Sequence, residues 1–217
     1  MERVLTSRGV ATRRRIVEGA AGLMRERGPV NVGLDDIREV TATSKSQLFH
    51  YFPDGKSALL LAVARFEAEQ VLVDQMPFLG DLTSWRKLQA WRKRVVEKYA
   101  DQRGSCPLSA LTAQLGLADP DTREILVDLY ARWHGFLEVG VRALKVSGDV
   151  DAGVDPAAAA VAIVNAVTGG ATMLVATDRI DYLEIGLGEV LAGLRRPGRR
   201  APVRKRLTHS AESVRKK

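Results

Sequence analysis

A short polar run near residue 45 carries side chains suited to reading the edges of DNA bases. It consists of Ser44, Lys45, Ser46, Gln47 and His50. Lysine can donate to guanine, glutamine can pair with adenine through two hydrogen bonds, and serine can do either. The run begins a predicted short helix, and the amides at a helix N-terminus also attract phosphate. We therefore interpret the run as a candidate DNA-contacting surface.

Two short helices joined by a tight turn are needed to position this run. The apolar spacing predicts helices over 34–41 and 45–51, with a buried seam formed by Ile37, Val40, Leu48 and Phe52. In a helix-turn-helix, the N-terminal half of the second helix enters the major groove. Helices shorter than roughly 12 residues are marginal alone, so both must pack on neighbouring helices.

The first helix is predicted to begin after Thr12 as N-cap and to end before Gly28-Pro29. Arg13, Arg14 and Arg15 would then lie in its first turn, where cations oppose the helix dipole. A nearby anion would explain why they are tolerated. We therefore expect Arg13 and Arg14 to contact DNA.

The remainder of the chain also has helical spacing and almost no strand pattern, which predicts an all-α fold. Further helices are predicted over 56–75, 84–102, 107–117, 120–146, 156–176 and 182–194. The predicted organisation is a helix-turn-helix head (1–55), a larger helical domain (56–195) and a basic, disordered tail (196–217).

Charge is distributed unevenly along the 217 residues, whose formal net charge is +7. Residues 1–56 carry ten basic and seven acidic side chains, residues 57–194 carry thirteen and eighteen, and residues 195–217 carry ten and one. Basic ends on an acidic body suit a protein that meets phosphate with its termini. For the tail alone, a solvated charge run without a partner is an equal alternative.

Residues 11–62 resemble the heads of the tetracycline-repressor (TetR) family. The matching residues are Gly28, Ile37, Ser44, Lys45, Leu48, His50, Tyr51, Phe52, Pro53, Lys56, Ala58 and Leu59. The resemblance implies that Lys45, Ser46 and Gln47 touch bases, while Tyr51 and Lys56 hold backbone phosphate. A purely structural helical hairpin is the alternative.

The chain departs from the family pattern at several positions. Ala42-Thr43 stands where Gly-Val is usual, Phe49 replaces tyrosine, Gly33 replaces a hydroxyl residue, and Gly55 is extra. Gly33 and Phe49 each lack a hydroxyl, so no phosphate contact is expected from either.

The resemblance further implies a homodimer, in which the last two long helices pair with their symmetry mates. Small residues line much of the penultimate helix. The expected interface comprises Ala162, Ala166, Gly169, Gly170, Met173, Leu187 and Leu191. Packing of these helices within one chain alone is the alternative.

A regulator of this family is expected to release its operator when a small, mostly apolar molecule enters the larger domain. Pocket and core share residue types, so the lining is hard to predict. The expected lining comprises Trp91, Tyr99, Cys106, Leu111, Tyr130, Trp133, His134, Phe136, Asn165 and Met173. The alternative is a DNA-binding dimer without effector control.

Catalysis and cofactor use have weak support. Cys106 and His134 could form a nucleophile and base, but no third group or oxyanion signature accompanies them. The three histidines His50, His134 and His209 lack metal-ligand spacing, so neither a metal nor another cofactor is expected.

A cytoplasmic, nucleoid-associated location is expected. The single cysteine cannot form an internal disulfide, and no signal-peptide pattern opens the sequence. The nearly uncharged stretch 157–177 approaches membrane-span length, but its alanines, glycines and polar residues favour a buried helix over a membrane span.

Overall fold

The computed structural model describes residues 6–102 and 107–195. The described residues form nine α-helices and two short 3-10 turns, at Pro29–Asn31 and Phe78–Gly80. The helices are α1 Ser7–Arg27, α2 Leu34–Val40, α3 Lys45–Tyr51, α4 Lys56–Val73, α5 Trp85–Gln102, α6 Pro107–Leu115, α7 Pro120–Val146, α8 Pro156–Thr177 and α9 Asp181–Gly193. No strand occurs within these ranges, where one isolated antiparallel bridge joins Val150 and Arg195. The predicted all-α class is confirmed.

Side-chain caps set the ends of the two longest helices of the body. Asp119 accepts a hydrogen bond from the Thr122 backbone N–H at 2.7 Å and begins α7. The Thr122 hydroxyl and amide, which both donate to this carboxylate, lower the pKa of Asp119. Asp155 accepts from the Ala157 N–H at 3.0 Å and begins α8. Proline at the first helical position assists both starts, because its missing N–H is not needed there.

The predicted start of α1 was wrong. Thr6 is the N-cap, and its hydroxyl accepts from the Gly9 N–H at 3.2 Å. Arg13 and Arg14 therefore lie beyond the first turn, and the dipole argument for them fails. Arg14 instead forms an ion pair with Glu18 at 2.7 Å.

The three-helix head packs around α1. Ile16, Ile37, Leu48 and Phe52 are buried together in its core. Val40 was predicted to join this seam, but it is 56% exposed. The seven-residue α2 has one buried face, which Ile37 occupies, and Val40 lies outside it.

Helix α4 connects the head to the body. It packs against α1 on the head side and against α6 and α7 on the body side. The buried apolar cluster is continuous from Ile16 to Leu194. The boundary between residues 55 and 56 stays a prediction, since packing continues across it.

Helix α8 packs on α7 and α9. Within the described residues it is the one helix long and apolar enough to cross a membrane, and 44% of its most apolar stretch is buried. A core helix meets the same criterion. The expected burial of α8 therefore holds for one face, and the other face is exposed. The predicted tail (196–217) lies outside the described residues.

Candidate functional site

The second helix of the head begins with a capping box. The Ser44 hydroxyl accepts from the Gln47 backbone N–H, and the Gln47 side-chain oxygen accepts from the Ser44 N–H, both at 3.2 Å. Each side chain satisfies one free amide at the helix start. Ser44 is therefore the N-cap of α3, whereas the Gln47 side-chain NH2 group has no hydrogen-bond partner among the described residues.

The exposed face of α3 carries the predicted base-reading residues. Lys45, Ser46, Gln47 and His50 are exposed, while Leu48 between them is buried. The half-buried Tyr51 packs edge-on against His50, with ring centroids 4.9 Å apart. The structure thus brings these side chains together on one surface.

A basic groove borders this surface. Arg13, Arg14, His50, Tyr51 and Arg65 line a groove of about 770 Å³ between α1, α3 and α4. The Arg13 guanidinium lies over the Phe52 ring, 5.2 Å from its centroid. The groove therefore places the two predicted arginines beside Tyr51 through packing that the sequence did not predict.

The turn between α2 and α3 contains a strained residue. Ala42 has a φ of 45°, in the left-handed region that favours glycine. The Thr43 N–H donates to the Arg38 carbonyl at 2.9 Å, which closes the end of α2. This geometry explains why glycine is usual here in the resembled family.

Lys56 is the first residue of α4, and Gly55 precedes it. Helix α4 has 18 residues, so it spans roughly 27 Å at 1.5 Å per residue. Its N-terminus stands at the head, and its C-terminal part borders the body. A change in the body that tilted α4 would therefore also move Lys56, at the head end of the same helix.

The body contains a mostly apolar pocket, here called the central cavity, which is open to solvent on the side where the exposed residues Leu117 and Val175 line it. It has a volume of about 580 Å³ and lies between α4, α5, α6, α7 and α8. Its lining comprises Val71, Tyr99, Leu108, Thr112, Leu117, Leu126, Leu129, Tyr130, Trp133, Thr168, Ala171, Thr172, Val175 and Ala176. None of these described residues is charged, so the cavity suits a largely apolar molecule.

Two tryptophans of the body differ in their hydrogen bonding. Trp91 is fully buried, and its Nε1–H donates to Gln75 Oε1 at 2.8 Å. Trp133 lines the central cavity, and its buried Nε1–H has no partner among the described residues. A buried donor without a partner is costly. An acceptor on a molecule in the cavity would satisfy it.

Six of the ten predicted lining residues lie outside the lining of the central cavity. Tyr99, Tyr130 and Trp133 line the central cavity, and their contact with a ligand stays a prediction. The corrected residues are Trp91 and Leu111, which are buried in the core, Phe136, which packs against that core, and Asn165 and Met173, which lie on the exposed face of α8. His134 stacks on Tyr130 at 6.5 Å between ring centroids and is outside the lining. Cys106 lies outside the described residues, so its predicted place in the lining stays a prediction, and the weakly supported nucleophile–base alternative with His134 stays untested.

The sequence reasoning missed the threonines and aliphatic residues of the lining. Leu126, Leu129, Tyr130 and Trp133 form one stripe of α7 at spacings of three and four. That spacing was visible in the sequence. It does not distinguish a cavity wall from a packed core, because both use the same periodicity.

Glu67 was also missed. It lies at a core position of α4, between Ala64 and Ala68, and is 5% exposed. Its Oε1 accepts from Arg25 Nη1 of α1 at 2.7 Å, an ion pair that joins head and body. Burial raises the pKa of Glu67, and the Arg25 charge opposes that rise. One acidic residue among apolar helix positions was the available signal.

The predicted interface residues separate into two groups. Ala162, Gly169 and Met173 are exposed on α8, and Ala166 is half-buried beside them. The corrected residues are Gly170, Leu187 and Leu191, which are buried between α8 and α9 within the chain. Their burial leaves them unable to face a second copy.

Two family models match the chain. Residues 16–63 match the model for bacterial regulatory proteins of the tetR family, and residues 85–186 match the tetracyclin repressor-like C-terminal domain. Together they span most of the chain.

Individual relatives agree with this. An HTH-type transcriptional regulator of Mycobacterium tuberculosis is 29% identical over 121 residues, which cover 55% of this chain and 60% of the relative. The match thus spans less than two thirds of the relative's length. A TetR-family regulator from Cytophaga hutchinsonii has a TM-score of 0.69 at 18% identity, covering 88% of this chain and 98% of that one. The SmeT–triclosan complex has a TM-score of 0.61 at 19% identity, covering 91% and 99%.

A helix-turn-helix head with an exposed polar second helix, carried on a larger helical body, defines a DNA-binding transcriptional regulator. The chain belongs to the TetR family of such regulators.

Proposed function

We propose that the protein is a homodimeric repressor that leaves its operator when a small, mostly apolar molecule enters the central cavity. The observation that carries this proposal is that one helix, α4, borders both sites. Val71 of α4 lines the cavity, and Lys56 begins the same helix beside the DNA-reading surface. The cytoplasm, and within it the nucleoid, is the proposed place of action.

In the head, Lys45, Ser46 and Gln47 read bases. Ser44 caps α3, and His50 extends the reading surface on its exposed side. Tyr51, Lys56, Arg13 and Arg14 hold backbone phosphate from the basic groove and the start of α4. Phosphate contacts position the head, and base contacts specify the sequence.

The exposed face of α8 is the proposed dimer surface. Ala162, Ala166, Gly169 and Met173 form an uncharged stripe there, and Met173 is 39% exposed. A second copy would cover this stripe around a two-fold axis, which matches the symmetry of a two-half-site operator. Gly169→Leu should dissociate the dimer in sedimentation without unfolding the chain, because among the described residues no atom outside its own stretch of helix lies within 4 Å of an added Cβ. An unchanged dimer would exclude this surface.

The effector acts only through unequal affinity for two arrangements of the protein. A molecule that binds better when α4 is tilted would move the heads and weaken operator binding. The central cavity supports an apolar effector, and triclosan in the SmeT complex is one small organic molecule held by a protein of this fold. A dimer without effector control would have no such coupling.

The first test is selection of duplex DNA from a random library by the full chain. We expect an enriched motif with two-fold symmetry, bound by two protomers.

The second test is a thermal-shift screen of small organic compounds. A compound that raises Tm by binding in the central cavity should lower operator affinity, and, because the coupling is reciprocal, operator should lower the affinity for that compound by the same factor. Absence of an enriched motif would overturn the DNA proposal. Stabilising compounds that leave operator affinity unchanged would favour a dimer without effector control.

The basic tail is proposed to add sequence-independent affinity for DNA, although it lies outside the described residues. Ten basic side chains in residues 195–217 can neutralise several phosphates. Neither a cofactor, a metal nor a membrane has a role in this proposal.

A further inference from the structure

A small second space adjoins the central cavity. This polar annex has a volume of about 40 Å³ and shares Val71, Tyr99 and Leu108 with the central cavity. Its wall is apolar over much of its surface, where Val71, Val95, Tyr99 and Leu108 contribute, and it is named for its six polar lining residues, Glu67, Gln70, Asp74, Gln75, Lys98 and Gln102. A volume of this size holds a few water-sized groups. It can therefore take one small polar end of a molecule whose body fills the central cavity.

The two carboxylates of the annex have different partners. Asp74 is paired with Lys98 at 2.8 Å, inside the body. Glu67 is paired with Arg25 at 2.7 Å, and Arg25 belongs to α1 of the head. The Glu67 carboxylate is thus the charged group of the annex whose partner comes from the DNA-binding domain.

Glu67 has spare capacity to accept hydrogen bonds. A carboxylate offers two oxygens and about four acceptor sites. Among the described residues, one hydrogen bond reaches Glu67, from Arg25 Nη1 to Oε1. Burial of this carboxylate raises its pKa, because few groups solvate the charged form. A further hydrogen-bond donor that entered the annex could therefore donate to the Glu67 carboxylate.

The two partners of this ion pair differ in exposure. The Arg25 side chain is 41% exposed, whereas the Glu67 side chain is 6% exposed. Arg25 can therefore turn into water if it is displaced. Glu67 cannot, and a buried carboxylate without a cation is unfavourable. A second cation that reached the annex would thus be held by Glu67 while Arg25 was released.

We propose that the effector is an apolar amine. Its protonated nitrogen enters the polar annex and forms an ion pair with the Glu67 carboxylate in place of the Arg25 guanidinium. The exchange breaks the ion pair that joins α1 to α4, and it thereby couples occupancy of the cavity to the head. This inference rests on the proposed effector control and names its ligand class.

Three compounds with the same apolar body test the ligand class. The probes are 4-phenylbutylamine, 4-phenylbutan-1-ol and 4-phenylbutanoate, titrated into the full chain by calorimetry at pH 7. We expect the amine to bind about tenfold more tightly than the alcohol, and the carboxylate to bind most weakly. Equal affinities of the amine and the alcohol would overturn the amine proposal, while the central cavity would remain the proposed effector site. Absence of binding by all three would overturn the effector site itself.

Two variants that break the same ion pair separate a binding role from a structural one. Glu67→Gln should remove the advantage of the amine while alcohol affinity changes less than about threefold. Arg25→Gln should raise amine affinity several-fold, because the competing cation is gone. A merely structural ion pair would move both variants in the same direction, which would overturn the proposal. Alcohol binding confirms that each variant is folded.

The coupling is tested with operator DNA obtained by selection. At equal occupancy, the amine should weaken operator binding of the unmodified chain at least several-fold more than the alcohol does. In Arg25→Gln this difference between the amine and the alcohol should disappear, since the variant has no arginine for the amine to displace from Glu67. An equal effect of both compounds on the unmodified chain would overturn the exchange.

Discussion

A Cβ atom on Gly170 of α8 would lie 2.5 Å from the Cα of Leu183 in α9. Real Cβ atoms essentially never approach so closely, and the obstructing atom belongs to the backbone. The contact between α8 and α9 therefore requires glycine at this position. Gly135 of α7 is exposed, and among the described residues no atom outside its own stretch of helix lies within 4 Å of an added Cβ.

Gly170→Ala should lower the free energy of unfolding by about 1–3 kcal/mol, because overpacking forces α8 and α9 apart. Gly135→Ala is the matched control, because Gly135 lies outside the proposed dimer surface, and this substitution should stabilise its helix by up to about 1 kcal/mol. Denaturant unfolding at one fixed protein concentration measures both, since dimer stability depends on concentration. Equal effects of the two substitutions would mean that the close approach is absent in solution.

Ala42→Gly should stabilise the protein by about 1 kcal/mol. The left-handed backbone conformation of residue 42 costs alanine roughly 1–2 kcal/mol. Glycine avoids this cost, but part of the gain is offset because glycine makes the unfolded chain more flexible. Ala11 is exposed within α1, and Ala11→Gly should instead destabilise by about 1 kcal/mol. Thermal unfolding gives both signs. Destabilisation by both substitutions would contradict the strained turn.

Gln47→Glu should change the base preference of the operator while keeping α3 intact. The new carboxylate still accepts from the Ser44 N–H, but it lacks the NH2 group that pairs with adenine. The expected loss is about 1–3 kcal/mol at one position of each half-site. Competition binding with single-base operator variants measures it.

Lys56→Ala is the comparison for this prediction. Because a phosphate contact carries no sequence information, the substitution should weaken all DNA sequences alike. Uniform losses for both variants would remove Gln47 from the base-reading set.

The helix boundaries were largely predictable, because local chemistry determines them. Helix α7 was predicted over 120–146 and extends over Pro120–Val146, since proline begins it and the Ser147-Gly148 pair follows its end. Helix α3 agrees for a similar reason, a serine cap followed by Gln47. The start of α1 was missed because Thr6, and not Thr12, supplies the cap.

The site was predictable only in part, because tertiary packing decides which face of a helix is covered. Leu187 and Leu191 resemble interface residues in sequence, yet their face of α9 packs within the chain. Trp91 and Trp133 are equally buried. Only the structure distinguishes the tryptophan whose N–H is bonded to Gln75 from the one that borders the cavity.

Because the Trp91 N–H is hydrogen-bonded to Gln75 and the Trp133 N–H has no partner among the described residues, Trp91→Phe and Trp133→Phe should differ in their effects. Both substitutions remove the same atoms, but Trp91→Phe also leaves Gln75 Oε1, on a side chain that is 5% exposed, without its donor. Trp133→Phe removes a donor that has no partner among the described residues. Because losing one partner of a buried hydrogen bond costs about 1–3 kcal/mol, Trp91→Phe should be the more destabilising by roughly that amount.

Denaturant unfolding compares the two variants, and ligand binding provides a second readout. Trp133→Phe should weaken binding of cavity ligands that carry a hydrogen-bond acceptor about tenfold, and it should leave purely apolar ligands nearly unaffected. Trp91→Phe should not distinguish the two ligand types, because Trp91 does not line the cavity. Equal stability of the variants would contradict a stabilising Trp91–Gln75 hydrogen bond, and equal ligand effects would mean that the Trp133 N–H does not face a ligand.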